Sequence, residues 1–333
     1  MDSLTQAALG ATVSVVTLRG QAPIWKSALW GAALGTLPDL DVLLDYGDPI
    51  QNMTEHRGFS HALFFHLLAA PILALFVGRT RRWVVANILV LSTHALLDAM
   101  TVYGTKLWLP FSSEAVGVGS VFIIDPLYTL WLLPWMLVAL AGRGMRALQW
   151  AHTGLIMSTV YLVWTVGAQA WVTKAVSQHL PSGTERLLVT PSAFNTILWR
   201  VVAISGEHYY ESWVSLLEHE PKPLWSQMER GTDLLSASQS LEPIKRLTEF
   251  SDGFVSIRRE EDALFIQDLR MGQEPSYVFR FRIDPARRSA DAPAVSRAPI
   301  SRPPIPKGLQ WIYHRATLQT LLPFDAWLTQ QPH

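Results

Sequence analysis

The chain contains no cysteine. That absence excludes disulfides and thiolate metal sites, and leaves His, Asp and Glu as the side chains able to hold a divalent ion. Net charge is also absent, since 27 Lys and Arg balance 27 Asp and Glu over 333 residues. Such a balance gives no electrostatic reason for non-specific binding to nucleic acid, and no nucleic acid is expected as a partner. No internal repeat is visible. Leu4 to Leu18 is apolar but lacks the basic start and the cleavage context of a secretory signal, so it reads as part of the fold. Charge is scarcest in the first half. Residues 1–176 are mostly apolar, whereas residues 177–333 carry most of the charge.

Six apolar stretches fill the first half: Leu4 to Leu18, Ile24 to Leu37, His61 to Gly78, Trp83 to Met100, Val121 to Ala141 and Trp150 to Val176. A membrane span needs about 20 helical residues. The last four stretches meet that length, and the first two are marginal. The expected fold is therefore an α-helical membrane bundle of about five to six helices over 1–176, followed by a soluble α+β, β-rich domain over 177–333. Arg19 and Lys26, then Arg79, Arg81 and Arg82, then Arg143 and Arg146 occupy alternate loops. The positive-inside tendency assigns those loops to the cytoplasm. Arg57, Lys106 and Lys174 are exceptions. The expectation is a multi-pass protein of a bacterial inner membrane, with the Asp39–Ser60 loop and everything after Val176 on the periplasmic side. The lipid bilayer is then its immediate partner, and oligomeric state is not readable.

In the second half, Arg186 to Val189, Thr196 to Ile204 and His208 to Leu217 read as strands, with Ser205-Gly206-Glu207 as a turn. Phe254 to Arg258, Ala263 to Leu269 and Tyr277 to Ile283 read likewise, the last alternating apolar and basic residues as for a sheet with one wet face. Leu224 to Phe250 reads as helical. Pro285 to Pro306, rich in Pro, Ala, Ser and Arg, reads as a loop or linker. Trp311 to Trp327 reads as a final helix or a surface segment.

The chemistry concentrates in three places. Pro38-Asp39-Leu40-Asp41 ends the second apolar stretch. Glu55-His56-Arg57-Gly58-Phe59-Ser60-His61 opens the third. Thr93-His94-Ala95-Leu96-Leu97-Asp98 lies in the fourth, where His94 and Asp98, four apart, share one helical face. The basic loops place all three clusters at one depth on one face. Each has an ordinary reading: Asp-x-Asp as a cap, the His-Arg-Gly-Phe-Ser-His run as an interfacial loop, His94 and Asp98 as a hydrogen-bonded pair. Together they suggest one metal site, with Asp39, Asp41, His56, His61, His94 and Asp98 as candidate ligands. Oxygen and imidazole donors suit Zn²⁺ best, with Mn²⁺ or Fe²⁺ as alternatives. Arg57 is a candidate anion clamp or an ion-pair partner of Glu55. Ser60 and Asp2 read as helix caps, His66 as a buried hydrogen-bonded residue, and Asp125 as a cap or a group orienting a ligand.

Met1-Asp2-Ser3-Leu4-Thr5, Leu34-Gly35-Thr36-Leu37-Pro38-Asp39-Leu40-Asp41, His56 to His61 and Thr93 to Asp98, taken in order, resemble the YdjM-like (DUF457) family over roughly residues 1–140. Its members are described as inner-membrane metal-dependent hydrolases, with no settled substrate. A fainter likeness is to zinc-dependent phospholipase C and P1-type nucleases. One departure stands out. Many relatives have His where this chain has Gln6, a poor zinc ligand, which argues against a multinuclear cluster. The resemblance implies hydrolysis of an ester or phosphoester, which location alone suggests is lipid-linked. In that mechanism a metal-activated water attacks, Asp39 or Asp41 takes the proton, and Arg57 steadies negative charge. Two alternatives belong to other classes. One is a non-catalytic scaffold with a structural metal and a partner-binding tail. The other is a transporter, which would carry polar residues along the depth of the bundle instead of at one end.

Overall fold

A computed structural model of the protein describes residues 1–289, 292–300 and 304–330. The chain divides into two compact units. The first comprises Met1–Leu44, His56–Gly167 and Ala193–Asn195, and the second Asp45–Glu55, Ala168–Ser192 and Thr196–His333.

The first unit is helical. Helices α1 (Ser3–Thr17) and α2 (Ile24–Thr36) form a tightly apposed pair. A Cβ on Gly10 would overlap the carbonyl oxygen of Gly31, one on Gly31 would overlap that of Gly10, and one on Gly35 would press on Gln6. Small residues in this register let two backbones approach closely. The Asp2 carboxylate caps α1 by accepting from the Thr5 amide at 3.0 Å, the cap its sequence position suggested. A 3-10 turn over Pro38–Leu43 follows α2. Helix α3 (Pro49–Glu55) belongs to the second unit. A second 3-10 turn, Phe59–His61, leads into α4 (Leu63–Val77), then α5 (Arg81–Ala99), α6 (Pro126–Ala141) and α7 (Gly144–Val176). Asp125 caps α6, accepting from Leu127 and Tyr128 amides at 2.9 and 3.1 Å and from the Tyr161 hydroxyl at 2.9 Å.

Leu9, Val13, Val90, Tyr128 and Leu132 form the centre of this unit. Its outer surface is also apolar. Leu68, Ile72 and Phe76 on α4, Leu130 and Leu137 on α6, and Ile156, Val160, Val163 and Trp164 on α7 are all exposed. The three basic turns meet at one end. Arg82 donates to the Arg19 carbonyl at 2.8 Å, Thr80 to Gln21 at 3.0 Å, and the Arg19 guanidinium lies 3.3 Å from the Met145 sulfur.

The expected count of five to six spans does not hold. Among the described residues one helix, Gly144–His179, is long and apolar enough to cross a membrane. There are two if Pro49–His61 and Leu63–Val77 are taken as one broken element. Two physical reasons lie behind the difference. Helices α1 and α6 stop at 15 and 16 residues, short of a full crossing. Helix α5 is long enough at 19 residues, but it carries Arg81, Arg82, Asn87, His94 and Asp98.

The second unit is β-rich. One antiparallel sheet has the order β1 (Arg186–Pro191), β2 (Leu198–Ser205), β3 (His208–Ser215), β4 (Ser226–Glu229). Ser205 and His208 close the expected hairpin around Gly206. Strand β4 and the short helices α8 (Thr232–Ala237) and α9 (Glu242–Phe250) replace the single helix expected over Leu224 to Phe250. Gly231, at φ 77°, separates β4 from α8 in a backbone state that suits glycine. The second sheet consists of β5 (Val255–Glu260), β6 (Ala263–Asp268), β9 (Arg280–Ser289) and β10 (Ala292–Arg297). A two-stranded ribbon, β7 (Gly272–Gln273) with β8 (Ser276–Tyr277), interrupts it in sequence.

The linker expected over 285–306 is in large part strand, although residues 290–291 and 301–303 lie outside the described residues. Proline is tolerated there because β10 is an edge strand, and because a register shift between Pro293 and Ala294 leaves Pro285 outside the ladder. Helices α10 (Ile305–Ala316) and α11 (Phe324–Thr329) bury Trp311, Phe324 and Trp327 against Leu198 and Trp213. The last turns of α7 also belong to this unit, packing Ala168, Val172 and Val176 on Val189 and Trp199.

Candidate metal centre

Asp39, His61, His94 and Asp98 each offer one donor atom, and these four atoms lie within 4.8 Å of one another. All four belong to the first unit. Asp39 comes from the turn after α2, His61 from the turn before α4, and His94 with Asp98 from successive turns of one face of α5. The Nε2 atoms of His61 and His94 are 3.0 Å apart. Asp39 Oδ1 is 3.5 Å from each of them. Asp98 Oδ2 is 3.2 Å from His61 Nε2 and 3.6 Å from His94 Nε2.

The outer hydrogen bonds determine what faces inward. His94 Nδ1 lies 2.6 Å from the Gly35 carbonyl, which can only accept, so Nδ1 carries a proton and Nε2 is the atom turned inward. The Ser60 hydroxyl gives its one proton to Asp41 Oδ2 at 2.5 Å, so it accepts from His61 Nδ1 at 2.9 Å. That turns His61 Nε2 toward the same centre. Burial pushes the His61 imidazole down, but the Asp39, Asp41 and Asp98 carboxylates outweigh it and raise the group, so without an ion it holds a second proton that a cation would displace. The two Nε2 atoms, 3.0 Å apart, then face two carboxylate oxygens, of which Asp98 Oδ2, fully buried, has the Arg57 guanidinium 3.2 Å away but no well-aligned hydrogen bond. All four atoms can act as ligands once a cation takes the place of that proton between them. Zinc bonds of about 2.0–2.2 Å in a tetrahedron give donor–donor edges of roughly 3.3–3.6 Å. Five of the six separations are 3.0–3.6 Å, close to that range, and all six fall within 4.8 Å. A carboxylate, hydroxyl or carbonyl on the far nitrogen of each imidazole is the usual support of a metal-binding histidine.

Six ligands were expected and four are gathered. Asp41 and His56 pair with each other at 2.6 Å and stand outside the group. Asp41 also accepts from the Arg57 amide at 3.0 Å and lies 3.5 Å from His61 Nδ1. Burial pushes the Asp39 and Asp41 carboxyls up, but the imidazoles around them outweigh it and hold both well below the usual carboxylate range.

Arg57 is turned inward. Its φ of 62° is unusual for a side chain other than glycine and directs its amide to Asp41 while its guanidinium reaches Asp98. The Nε lies 3.2 Å from Asp98 Oδ2, one terminal nitrogen donates to Thr101 at 3.0 Å, and the guanidinium stacks 4.9 Å from the Tyr103 ring centre. Gln6, discounted as a ligand, donates to Asp98 Oδ1 at 3.0 Å. The Met1 amine pairs with the same oxygen. His66 Nε2 donates to the Ser60 carbonyl, 2.9 Å away, as a buried hydrogen-bonded residue. Sequence reasoning missed Gly35 and Thr101, which act through a backbone carbonyl and a hydroxyl with no signature of their own.

The family model described as YdjM inner membrane protein matches residues 1–172. The uncharacterized protein YfhP of Bacillus subtilis (strain 168) is 24% identical over 212 residues, 61% of this chain and 64% of that protein. Inner membrane protein YbcI of Escherichia coli (strain K12) is 39% identical over 94 residues, 25% of this chain and 53% of that protein. The chain thus spans less than two thirds of the length of these curated relatives. No solved structure matches the chain.

Proposed function

The chain belongs to the YdjM inner membrane protein family, and from that premise we propose that it is a membrane-bound, metal-dependent hydrolase of esters or phosphoesters. The observation that carries the proposal is the convergence of four potential ligand atoms from three distant stretches, backed by hydrogen bonds at Nδ1 that turn Nε2 of both imidazoles inward. Zn²⁺ suits two nitrogens and two oxygens at these separations, and Mn²⁺ or Fe²⁺ is the alternative.

His61, His94 and Asp98, buried almost completely, would hold the ion. A divalent ion there supplies Lewis-acid activation of water and of an ester or phosphoryl oxygen. Asp39, 21% exposed at its side chain, is the one member of the four that reaches the mouth. Its carboxyl is ionised at neutral pH, so it is assigned the proton of the attacking water. Asp41 orients His61, and Arg57 orients Asp98 instead of reaching out to substrate. In the membrane, the exposed apolar flanks of α4, α6 and α7 would face lipid. The convergent Arg19, Arg82 and Arg146 turns would lie in the cytoplasm, and α7 would cross once and deliver the chain after it to the periplasm.

The test is turnover. Detergent-purified protein loaded with Zn²⁺ is assayed on carboxylic and phosphate esters, water-soluble and lipid, in mixed micelles. Hydrolysis of one class is expected, abolished by chelation and reduced about 10²-fold or more in Asp39→Asn. A loaded protein inert toward both classes would overturn the proposal. A second reading has its own observation: four protein donors can close a coordination sphere, as in structural sites. A non-catalytic scaffold of that kind would lose folding or membrane abundance in His94→Ala, whereas an enzyme would stay folded and lose metal together with activity.

A further inference from the structure

A cavity of about 330 Å³ lies in the first unit, between α4, α5 and the two 3-10 turns that carry Asp39, Asp41 and His61. Its walls are Phe65, Ala69 and Leu73 on α4 and Leu91 on α5, with Pro38 and Leu37 from the end of α2. Three polar residues also line it, and each is turned to another. Asp41 is held by His56, the Arg57 amide and Ser60. Ser60 spends its proton on Asp41, and His66 bonds the Ser60 carbonyl through Nε2 while its buried Nδ1 has no partner. The volume offers water few partners, and cavities of that kind favour hydrocarbon. The rim is apolar too: Leu37, Leu40, Leu44 and Phe59 are all exposed. Four large apolar side chains around an apolar opening mark a place where apolar matter is met. In a chain of an inner-membrane family the hydrocarbon at hand is lipid.

One residue joins the cavity to the candidate metal centre. Asp41 lines the cavity and also lies 3.5 Å from His61 Nδ1, the back of a candidate ligand. A chain in the cavity is therefore separated from the metal-binding group by one side chain. We infer that the cavity receives an acyl chain of a lipid substrate whose ester or phosphoester is presented to Asp39, His61, His94 and Asp98. The inference rests on the hydrolase reading for its chemistry and on the cavity alone for its ligand class.

The experiment uses full-length protein in nanodiscs of bacterial phospholipid, with a photoreactive diazirine analogue of palmitate as probe and mass spectrometry to map the adducts. Adducts are expected on Phe65, Ala69 or Leu73, competed by unlabelled palmitate. Adducts on Leu75 and Phe76, on the outer flank of α4, should resist competition as ordinary lipid contacts. Ala69→Phe, which fills the cavity, should lower the cavity adducts at least fivefold while zinc binding is unchanged, and Ala69→Leu should lower them by less. Labelling confined to the outer flank, or cavity labelling indifferent to both substitutions, would overturn the inference. The two readings fail separately. Specific cavity adducts in a protein that hydrolyses nothing would leave the lipid site standing and remove the enzyme. Hydrolysis of short-chain esters with no competed adducts would do the reverse.

Discussion

Each unit buries charged side chains, and the two solve the problem differently. In the β-rich unit Arg200 is fully used. It donates to Glu211 at 2.8 Å through Nε, to the Leu269 carbonyl at 2.7 Å and to the Tyr277 hydroxyl at 3.2 Å. Burial pushes the Glu211 carboxyl up, and the guanidinium opposes it. Donors meet acceptors, and the group is complete without outside help. In the helical unit two imidazole nitrogens and two carboxylates face a common centre that only a proton on His61 fills when no ion is bound, while the donors Arg57, Gln6 and the Met1 amine all approach from the Asp98 side. A buried network closed on itself does structural work. One whose potential ligand atoms converge on a centre held by an exchangeable proton has room for a cation in its place.

Substitutions can break or sharpen that contrast. The largest effect is expected from Arg200→Ala, which strands Glu211 and should cost about 3–5 kcal/mol in the stability of the β-rich unit. Thermal denaturation should show the same loss with zinc or with chelator. Zinc at 100 to 1,000 times its Kd should stabilise the wild-type helical unit by about 3–4 kcal/mol. His94→Ala should erase that gain and cost less with chelator than with zinc, because only the metal-bound state loses a ligand. If His94→Ala instead destabilises equally with and without metal, the two charged groups are of one kind.

Smaller effects test the supports. Gly31→Ala wedges α1 from α2 and should cost about 1–3 kcal/mol by denaturation, weakening metal binding through the displaced Gly35 carbonyl. Asp41→Asn should weaken zinc affinity about 10–100-fold in a competition titration, since it touches the back of His61 and not the centre. Asp2→Ala, a cap outside the group, should cost about 1 kcal/mol and leave zinc affinity unchanged.

How much of this was legible beforehand follows from what each feature depends on. The spacing of His94 and Asp98 is a property of one helix and could be read directly. That Asp39 and His61 meet them followed from the alternation of basic loops, and Arg19, Arg82 and Met145 do come together at the other end. The division between inward ligands and their supports was not legible. Whether Asp39 or Asp41 faces the centre depends on a 3-10 turn, and the direction of Arg57 depends on a left-handed backbone. Span count was misjudged because hydropathy does not report where a helix stops. The assignment of α3 was hidden for a similar reason. Its Ile50 is fully buried and Glu55 lies 3.5 Å from Arg246 of α9, a contact across 191 positions of sequence that no local pattern announces.

The direct test is metal content. Protein purified in detergent, stripped with chelator, reloaded with Zn²⁺, Mn²⁺ or Fe²⁺ and freed of loose ions should retain about one divalent ion per chain by elemental analysis. The His61→Ala/His94→Ala double variant, equally folded by circular dichroism, should retain none. Wild-type protein that retains no ion after any of the three loadings, or a double variant that retains as much as wild type, would contradict a cation centred among Asp39, His61, His94 and Asp98.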